Sequence, residues 1–399
     1  MDLYERLRAQ KSKSIHEAAD SLRPRDTGTE PARTDAGPTE TPGAESGTAP
    51  AGSAAPAGGS DPAVSLSAAG FSRVDDFLWT RTREFAVEPL PAAFFREGAA
   101  ARLIYFDTET TGLSGGSGTT VFLVGLGRLT GGSLTVEQVF LEDFPGEPRF
   151  LEYLSDAMPA EATYVSYNGK AFDTHLLTMR HLMNGRHVGL PNQLDLLYPA
   201  RRLWKSMLDS CALGDIEEHV LGITREVDIP GFLIPDTYFD FLRSGDATPL
   251  EPVFEHHSAD IVSLHRLLVR MEQLVHDPWC VQADRFQLAR LIYSRDPARG
   301  EALLRQLASA DARAALELGR CLKRQQRFDD AAEVFQALYE RNGSPSAGVE
   351  LAKYHEHRTK ALQEARAIVL SLLKRPDCAP VREELRYRLD RLDRKLASL

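Results

Sequence analysis

Four acidic residues constrain the fold of this chain most, because they lie in three short patches that are far apart in the sequence. Asp107 and Glu109 lie in Y-F-D-T-E-T-T-G, Asp173 in Y-N-G-K-A-F-D, and Asp260 in E-H-H-S-A-D. The patches adjoin apolar segments, and a buried carboxylate is costly unless an opposite charge compensates for it. A hard cation with oxygen ligands, such as Mg²⁺, would supply that charge. The pattern therefore predicts that the three patches converge on two divalent metal ions.

Length and composition predict three parts. At 399 residues the chain exceeds one ordinary core, and its composition changes twice along its length. Residues 1–65 are expected to form a disordered tail, because they are rich in Ala, Pro, Gly, Thr and Ser and poor in large apolar side chains. Residues 66–280 and 281–399 are expected to form two domains, the first α/β and the second all-α.

The two predicted domains differ in net charge. Residues 66–280 hold 17 Lys and Arg against 30 Asp and Glu, a net charge of −13, whereas residues 281–399 hold 23 against 17, a net charge of +6. An acidic domain that handles polyanions needs metal ions or a basic patch. The C-terminal part could provide that patch, although solvated helix faces also explain its arginines.

The cysteines and the hydropathy pattern bear on the compartment. Cys211, Cys280, Cys321 and Cys378 form no C-x-x-C pair, which argues against a zinc site and a disulfide framework and favours the cytoplasm. No stretch approaches 18 continuous apolar residues, so no membrane span is expected.

The α/β domain is predicted to begin with a three-stranded meander and to continue with alternating strands and helices. Meander strands are expected at residues 102–108, 119–128 and 133–142, and the glycine-rich residues 112–118 are interpreted as a tight strand connection because they lack the G-K-[ST] ending of a phosphate loop. The later elements are a helix at 148–158, a strand at 162–166, a helix from about Lys170 and a short strand ending near Asp195. This order predicts a mixed sheet with helices on its faces.

The all-α domain carries a weak internal repeat of 33 residues. Leu318 aligns with Leu351, Ala332 with Ala365, and Phe335 with Ile368. A small residue followed about three positions later by a bulky one resembles tetratricopeptide repeats, in which helix pairs stack to share a core. A generic helical bundle is the alternative.

The first and third patches place side chains on common faces. Strand alternation directs Asp107 and Glu109 to one face of the sheet. His256 and Asp260 lie four residues apart on an expected helix and project from one side, so His256 could accept a proton from a water at the metal site. His257 is expected to point elsewhere and to be incidental.

The second patch is expected to join a strand to a helix. Asn168 is a candidate helix cap, Gly169 permits close approach, and Asp173 lies in the first turn, where it either binds metal or complements the helix dipole. Asp195 could be an additional acid near the metals, but a role at a helix N-terminus is favoured.

Together, residues 100–275 resemble the DEDD exonuclease superfamily, and the whole architecture resembles the YprB-type ribonuclease H-like proteins. The motifs that carry the resemblance are D-T-E-T-T-G, N-G-K-A-F-D and H-H-S-A-D, in that order. It implies a ribonuclease H-like, five-stranded mixed sheet at residues 66–280 and a tetratricopeptide-like domain at 281–399. One departure concerns the base, because the superfamily has tyrosine four or histidine five positions before the last aspartate, whereas this chain has His256 and Glu255 there.

The resemblance also implies an activity and a set of residues. It implies a 3′–5′ exonuclease that hydrolyses phosphodiester bonds of DNA or RNA, most readily at single-stranded ends, with two Mg²⁺ or Mn²⁺ ions. The alternative is an inactive scaffold that binds nucleic acid, or a protein partner through its helical repeats. The implied metal ligands are Asp107, Glu109, Asp173 and Asp260, with His256 as the base and with Asn168, Lys170, Phe172, Arg201 and Arg202 as candidate substrate contacts.

Overall fold

The structure is a computed structural model that describes residues 60–90, 102–112, 118–187, 189–225 and 228–398. Most of the predicted tail and the centre of the glycine-rich connection lie outside the described residues. The first described helix, α1 (Pro62–Ala68), begins inside the stretch whose composition indicated a tail, with Asp61 as its N-cap.

A mixed sheet forms the centre of the α/β part, and it has seven strands. The order across the sheet is β1-β2-β5-β4-β3-β6-β7, with β3, β6 and β7 mutually parallel and every other neighbouring pair antiparallel. The strands are β1 (Ser72–Asp75), β2 (Leu78–Ala86), β3 (Leu103–Thr110), β4 (Val121–Thr130), β5 (Ser133–Leu141), β6 (Thr163–Ser166) and β7 (Gln193–Asp195).

The prediction of five strands was wrong because it omitted β1 and β2. Strand β2 pairs with β5 along its whole length, from Leu78 opposite Leu141 to Ala86 opposite Ser133. The centre of β2 carries charged side chains, so its sequence lacks the apolar run that marked the other strands. Cross-strand pairing with β5, rather than local pattern, places it in the sheet.

The two faces of the sheet bury separate cores. Along β3, Leu103 and Tyr105 contribute to one core, whereas Ile104 and Phe106 contribute to the other. This alternation follows from the pleat of a strand, which directs successive side chains to opposite faces.

Helices cover both faces of the sheet and continue as an all-α region. Those of the α/β part are α2 (Glu147–Ala157), α3 (Asp173–Met183), α4 (Leu197–Trp204), α5 (Leu213–Ile216), α6 (Ile234–Ser244) and α7 (Glu251–His276). Those that follow are α8 (Arg285–Tyr293), α9 (Pro297–Leu307), α10 (Ala312–Arg324), α11 (Phe328–Asn342), α12 (Pro345–Tyr354), α13 (Leu362–Leu373) and α14 (Arg382–Ala397).

Helix α7 lies unusually close to β4, and two glycines permit this. A Cβ atom at Gly125 would lie 2.6 Å from His257 Cε1, and one at Gly127 would lie 2.6 Å from Ile261 Cγ2. Any side chain at either position would therefore push the helix away from the strand. The glycines set the depth at which α7 presents its side chains to β3.

Each C-terminal helix packs against the next helix along the chain. Helices α10 and α12 begin 33 residues apart, which is the spacing of the repeat in the sequence. Gly319 faces Phe335, with only 2.3 Å between a Cβ built at the glycine and ring atom Cε1. Buried residues from α7 through α12 belong to one continuous core, which also includes the α7 face of the sheet. None of the described helices combines the length and apolar composition that a bilayer crossing requires.

Candidate functional site

The carboxyl ends of three neighbouring parallel strands meet at one edge of the sheet. Register pairs Leu103 with Thr163 across β3 and β6, and Ser166 with Asp195 across β6 and β7. Asp107 and Glu109 extend from the same end of β3, on the face against α7. Acid patches that lie far apart in the sequence are thus brought to one edge, as parallel strands allow.

Asp173 and Asp260 act electrostatically on Asp107 and Glu109. Burial and the negative charges of Asp173 and Asp260 hold the pKa of Asp107 well above its usual range. Burial also raises the pKa of Glu109 to about 8, although the nearby charge of His256 opposes this shift. The structure therefore gathers all four predicted acids closely enough to repel one another.

Asp173 begins helix α3 and is almost fully buried, with 6% of its surface exposed. Thr108, on the strand between the two β3 acids, donates a hydrogen bond to its carboxylate. Burial raises the pKa of Asp173 to about 6, and the Thr108 hydrogen bond partly offsets that effect. Position 169, in the loop before Asp173, has no room for a side chain, since a Cβ there would lie 2.6 Å from Ser166 Cβ and Oγ.

Asp195 holds the loop that carries Asp173. Its carboxylate accepts hydrogen bonds from the backbone N–H groups of Asn168 at 2.8 Å, Lys170 at 3.2 Å and Leu197 at 3.0 Å. The bond to Leu197, the first residue of α4, is the expected role at a helix N-terminus. The other two stabilise the left-handed turn at Asn168, whose φ is 66°. Asn168 therefore shapes this turn, and the residue that directly precedes α3 is Phe172.

Arg225, which was not predicted from the sequence, pairs with Asp260. Its guanidinium donates to the carboxylates of Asp260 and Glu217, the latter at 2.5 Å, and its Nη1 lies 3.1 Å from His256 Nδ1. Glu217 is buried and begins a single turn of π-helix (Glu217–Leu221) that follows α5. Such turns often occur at functional sites. A lone arginine in a polar loop gave no signal from which this contact could have been predicted.

His256 lies close to Asp260, four residues further along α7, and Asp228 orients it. Nδ1 is 2.5 Å from Asp228 Oδ1, and Nε2 is 3.5 Å from Asp260 Oδ2. Burial alone would lower the pKa of His256, but the Asp228 hydrogen bond and the charges of Asp260 and Glu109 outweigh it and raise the pKa to about 9. Because Nδ1 bonds to Asp228, Nε2 is the nitrogen that faces the acids.

His257 was expected to be incidental, but its ring contacts Asp107. Nε2 lies 3.2 Å from the backbone oxygen of Asp107 and 3.9 Å from Oδ2. On the other side of the ring, Gln138 Nε2 lies 3.1 Å from Nδ1, and Gln138 Oε1 accepts a hydrogen bond from Arg81 at 2.9 Å. Since Arg81 fixes the amide orientation, Nδ1 accepts and Nε2–H donates to Asp107. Burial lowers the pKa of His257 to about 3, so the ring is neutral.

Arg81 explains why the additional strand β2 matters to the site. It lies on β2 and pairs with Glu251 at 3.3 Å and Glu255 at 3.4 Å. Glu255 also pairs with Arg83. The acid found five positions before Asp260 thus pairs with the arginines of β2.

The residues predicted to contact the substrate lie on the Asp173 loop and on α4, and most of them are exposed. Lys170 is exposed and Phe172 is half-buried on the Asp173 loop. Arg201 is exposed on α4, and its charge acts on Tyr167, next to that loop. Arg202 is exposed on the same helix, and no contact in the described part of the chain joins it to the acids.

Among the described residues, no group of three or more His, Cys, Asp or Glu side chains has the geometry of a ready metal cage. The chemistry of the donors nevertheless fits divalent cations. Asp107, Glu109 and Asp173 are hard oxygen donors with raised pKa values, which a divalent cation would lower by neutralising their repulsion. Arg225 supplies positive charge at Asp260.

Comparison with known proteins agrees with this geometry. Residues 104–272, which include all three acid patches, match the model of the RNase H superfamily. The chain is 35% identical over 314 residues to the uncharacterized protein YprB of Bacillus subtilis (strain 168), and the alignment covers 74% of this chain and 75% of that relative. The chain belongs to the YprB family. Its RNase H superfamily domain suggests a nuclease-type hydrolase that binds nucleic acid.

Proposed function

We propose that the chain is a metal-dependent nuclease that hydrolyses phosphodiester bonds, with 3′–5′ exonuclease action on single-stranded DNA or RNA ends. The observation that carries the proposal is the cluster of acids in which the negative charges of Asp173 and Asp260 raise the pKa values of both Asp107 and Glu109. Keeping several like charges together is costly, so a cluster of this kind is typical of a site that binds cations.

Asp107, Glu109, Asp173 and Asp260 would hold two Mg²⁺ or Mn²⁺ ions. Such ions supply Lewis-acid polarisation of the phosphodiester and activation of water. Neighbouring groups keep the acids in position. Thr108 and the Asp195-braced loop hold Asp173, while the neutral His257 ring holds the end of β3 at Asp107.

His256 is proposed as the proton acceptor. Asp228 fixes its ring through Nδ1, which leaves Nε2 facing the acids. An orienting carboxylate on one imidazole nitrogen commonly prepares the other for proton transfer. Bound cations would offset the charges of Asp260 and Glu109 that raise the pKa of His256, and this pKa would then fall toward the range of a general base.

Arg225 is proposed to position the phosphate. Its contact with Glu217 is independent of the acids on β3, so this contact can persist while Asp260 binds a cation. The remaining N–H donors of the guanidinium would then be available to a phosphate oxygen.

An inactive scaffold is the second candidate, and the Arg225–Asp260 pair favours it. A guanidinium bonded to Asp260 provides the positive charge that a metal ion would otherwise supply. If Arg225 stays bonded to Asp260 when divalent cations are present, the acids are structural and the fold binds nucleic acid without cleaving it.

A cleavage assay separates the two candidates. DNA and RNA oligonucleotides carrying a 5′ label are incubated with the protein and Mg²⁺ or Mn²⁺. The nuclease predicts a ladder that shortens from the 3′ end with the wild type, loss of the ladder with Asp107→Asn and Asp173→Asn, and retention with Asp209→Asn, which alters an exposed acid outside the cluster. If the folded wild type binds the oligonucleotides but degrades none of them with either metal, the scaffold is correct.

A further inference from the structure

A concave site on the C-terminal helices has no part in the proposed chemistry. It is a cavity of about 370 Å³ between α10, α11, α12 and α14, and it also touches the π-helical turn at His355–Thr359 that follows α12. A volume of this size lies within the range of small-ligand pockets.

The floor of this cavity is apolar. Ala331, Ala332 and Phe335 of α11 form it and are themselves buried, and Phe328 stands at its wall. The two alanines leave space that larger side chains would fill. A planar or apolar group could therefore lie on the floor and lose contact with water, which favours binding.

The rim is basic. Five cationic side chains face the cavity, together with Glu350, and Glu356 lies directly beneath two of them. Five positive and two negative charges leave an excess of three. The cations are Lys323, Lys353, Arg358, Arg388 and Arg391.

Glu356 holds two of the arginines in place. Its side chain is fully buried and accepts a hydrogen bond from Arg388 at 2.6 Å and two from Arg391, each at 2.7 Å. Arg388 uses one of its five N–H donors in this contact, so several remain for a ligand. Because both guanidinium groups are already ordered, an anion would bind them with little loss of side-chain entropy.

Arg358 is the second feature that points to an anion. Its guanidinium carbon lies 3.5 Å from the centre of the Phe328 ring, and it forms no ion pair with any residue that the structure describes. An arginine on an aromatic face beside an apolar floor offers both charge and a stacking surface. That combination is typical of sites for single-stranded nucleic acid.

We propose that this cavity binds one nucleotide of a single strand, with its phosphate on Arg358 and Arg388 and its base over the floor formed by Ala331 and Ala332. The proposal rests on the nuclease function, whose own domain has a net charge of −13 and so needs a basic surface elsewhere to retain a polyanion. The helical region, with its net charge of +6, provides that surface.

Binding is tested without cleavage, in the full chain with EDTA, by fluorescence anisotropy of a labelled 20-nucleotide single strand over a salt series. Each lost phosphate contact should lower the slope of log affinity against log salt by about 0.7. We expect that decrease for Arg358→Gln, with at least a roughly three-fold weaker affinity. This substitution removes no contact of Glu356, and thermal melting checks that the variant folds.

Arg386→Gln is the matched control. It removes the same charge from α14, but position 386 is two residues from 388 and so faces about 200° away on a helix of 3.6 residues per turn. Its affinity should equal that of the wild type. If Arg358→Gln binds as tightly as this control, the proposal is overturned.

An acidic peptide with the same net charge as the oligonucleotide tests whether the cavity binds a peptide instead of a nucleotide. If the peptide binds in an Arg358-dependent way and the oligonucleotide does not, the cavity is a peptide site and the proposal is wrong. The outcome is separate from that of the cleavage assay, because the binding site stands if the Arg358-dependent affinity is found even when no cleavage occurs.

Discussion

Replacing Arg225 with methionine should destabilise the metal-free protein strongly. The guanidinium lies between Glu217 and Asp260, whose side chains are 3% and 17% exposed. Methionine keeps much of the apolar stem but leaves both carboxylates without that positive charge. Removing one partner of a buried ion pair typically costs about 3–5 kcal/mol, and the small exposure of Glu217 places the expected loss in that range.

The assay is denaturant unfolding with EDTA and again with Mn²⁺. A ligand that binds only the folded state stabilises it by about 2.7 kcal/mol at 100 times its dissociation constant. Since Asp260 is freed in Arg225→Met, we expect Mn²⁺ to restore more stability to this variant than it adds to the wild type. Arg225→Lys keeps the charge without the planar fork and should lose roughly half as much.

Arg180→Met is the matched control for this experiment. Arg180 pairs with Glu147 at 2.5 Å in a similarly buried pair, with side chains 12% and 11% exposed. Arg180 lies on α3, which also carries Asp173, whereas Glu147 lies on α2, which carries none of the four acids. It should lose comparable stability without gaining sensitivity to Mn²⁺. A loss below about 1 kcal/mol for Arg225→Met, or equal Mn²⁺ responses in the two variants, would show that Arg225 does not compensate for the charge of Glu217 and Asp260.

Three further predictions concern residues other than the four acids. Gly125→Ala should lower the free energy of unfolding by about 1–3 kcal/mol in a urea titration, because its Cβ would overlap His257 and force α7 away from β4; a neutral result would show that the helix does not depend on this close approach. Burial raises the pKa of Glu272 to about 8, so the folded state keeps a proton that the unfolded chain releases near 4.5, and stability should fall as pH rises between these values. Glu272→Gln should flatten that part of the pH profile, and an unchanged profile would contradict the assignment. Asp195→Asn should lower nuclease activity by about 10- to 100-fold with little change in melting temperature, because it weakens the bonds to the loop of Asp173 without touching the substrate; full activity would show that the loop needs no such brace.

The parts of the site that lie on regular elements could be predicted from the sequence. Alternation on an apolar strand placed Asp107 and Glu109 on one face, and helical spacing placed His256 beside Asp260. Asp173 was expected in the first turn of a helix, where the structure has it. Each of these inferences needed only the local period of a strand or helix.

The remaining parts depend on contacts between segments that are distant in sequence. Strand β2 is a strand because β5 pairs with it, and Arg81 is linked to His257 through Gln138. His257 contacts β3 because Gly125 lets α7 approach closely, which no helical projection reveals. Arg225 lies in a loop whose path follows from the π-helical turn at Glu217. In each case tertiary packing, rather than local propensity, decides the outcome.

If the nuclease proposal is correct, the four carboxylates form a binding site for two divalent cations. Crystals soaked in Mn²⁺ and measured at the manganese absorption edge can locate these ions. We expect two anomalous peaks among the oxygens of Asp107, Glu109, Asp173 and Asp260, with Arg225 released from Asp260. An ordered site without an anomalous peak at saturating Mn²⁺, and with Arg225 still bonded to Asp260, would show that the carboxylates do not bind the cations.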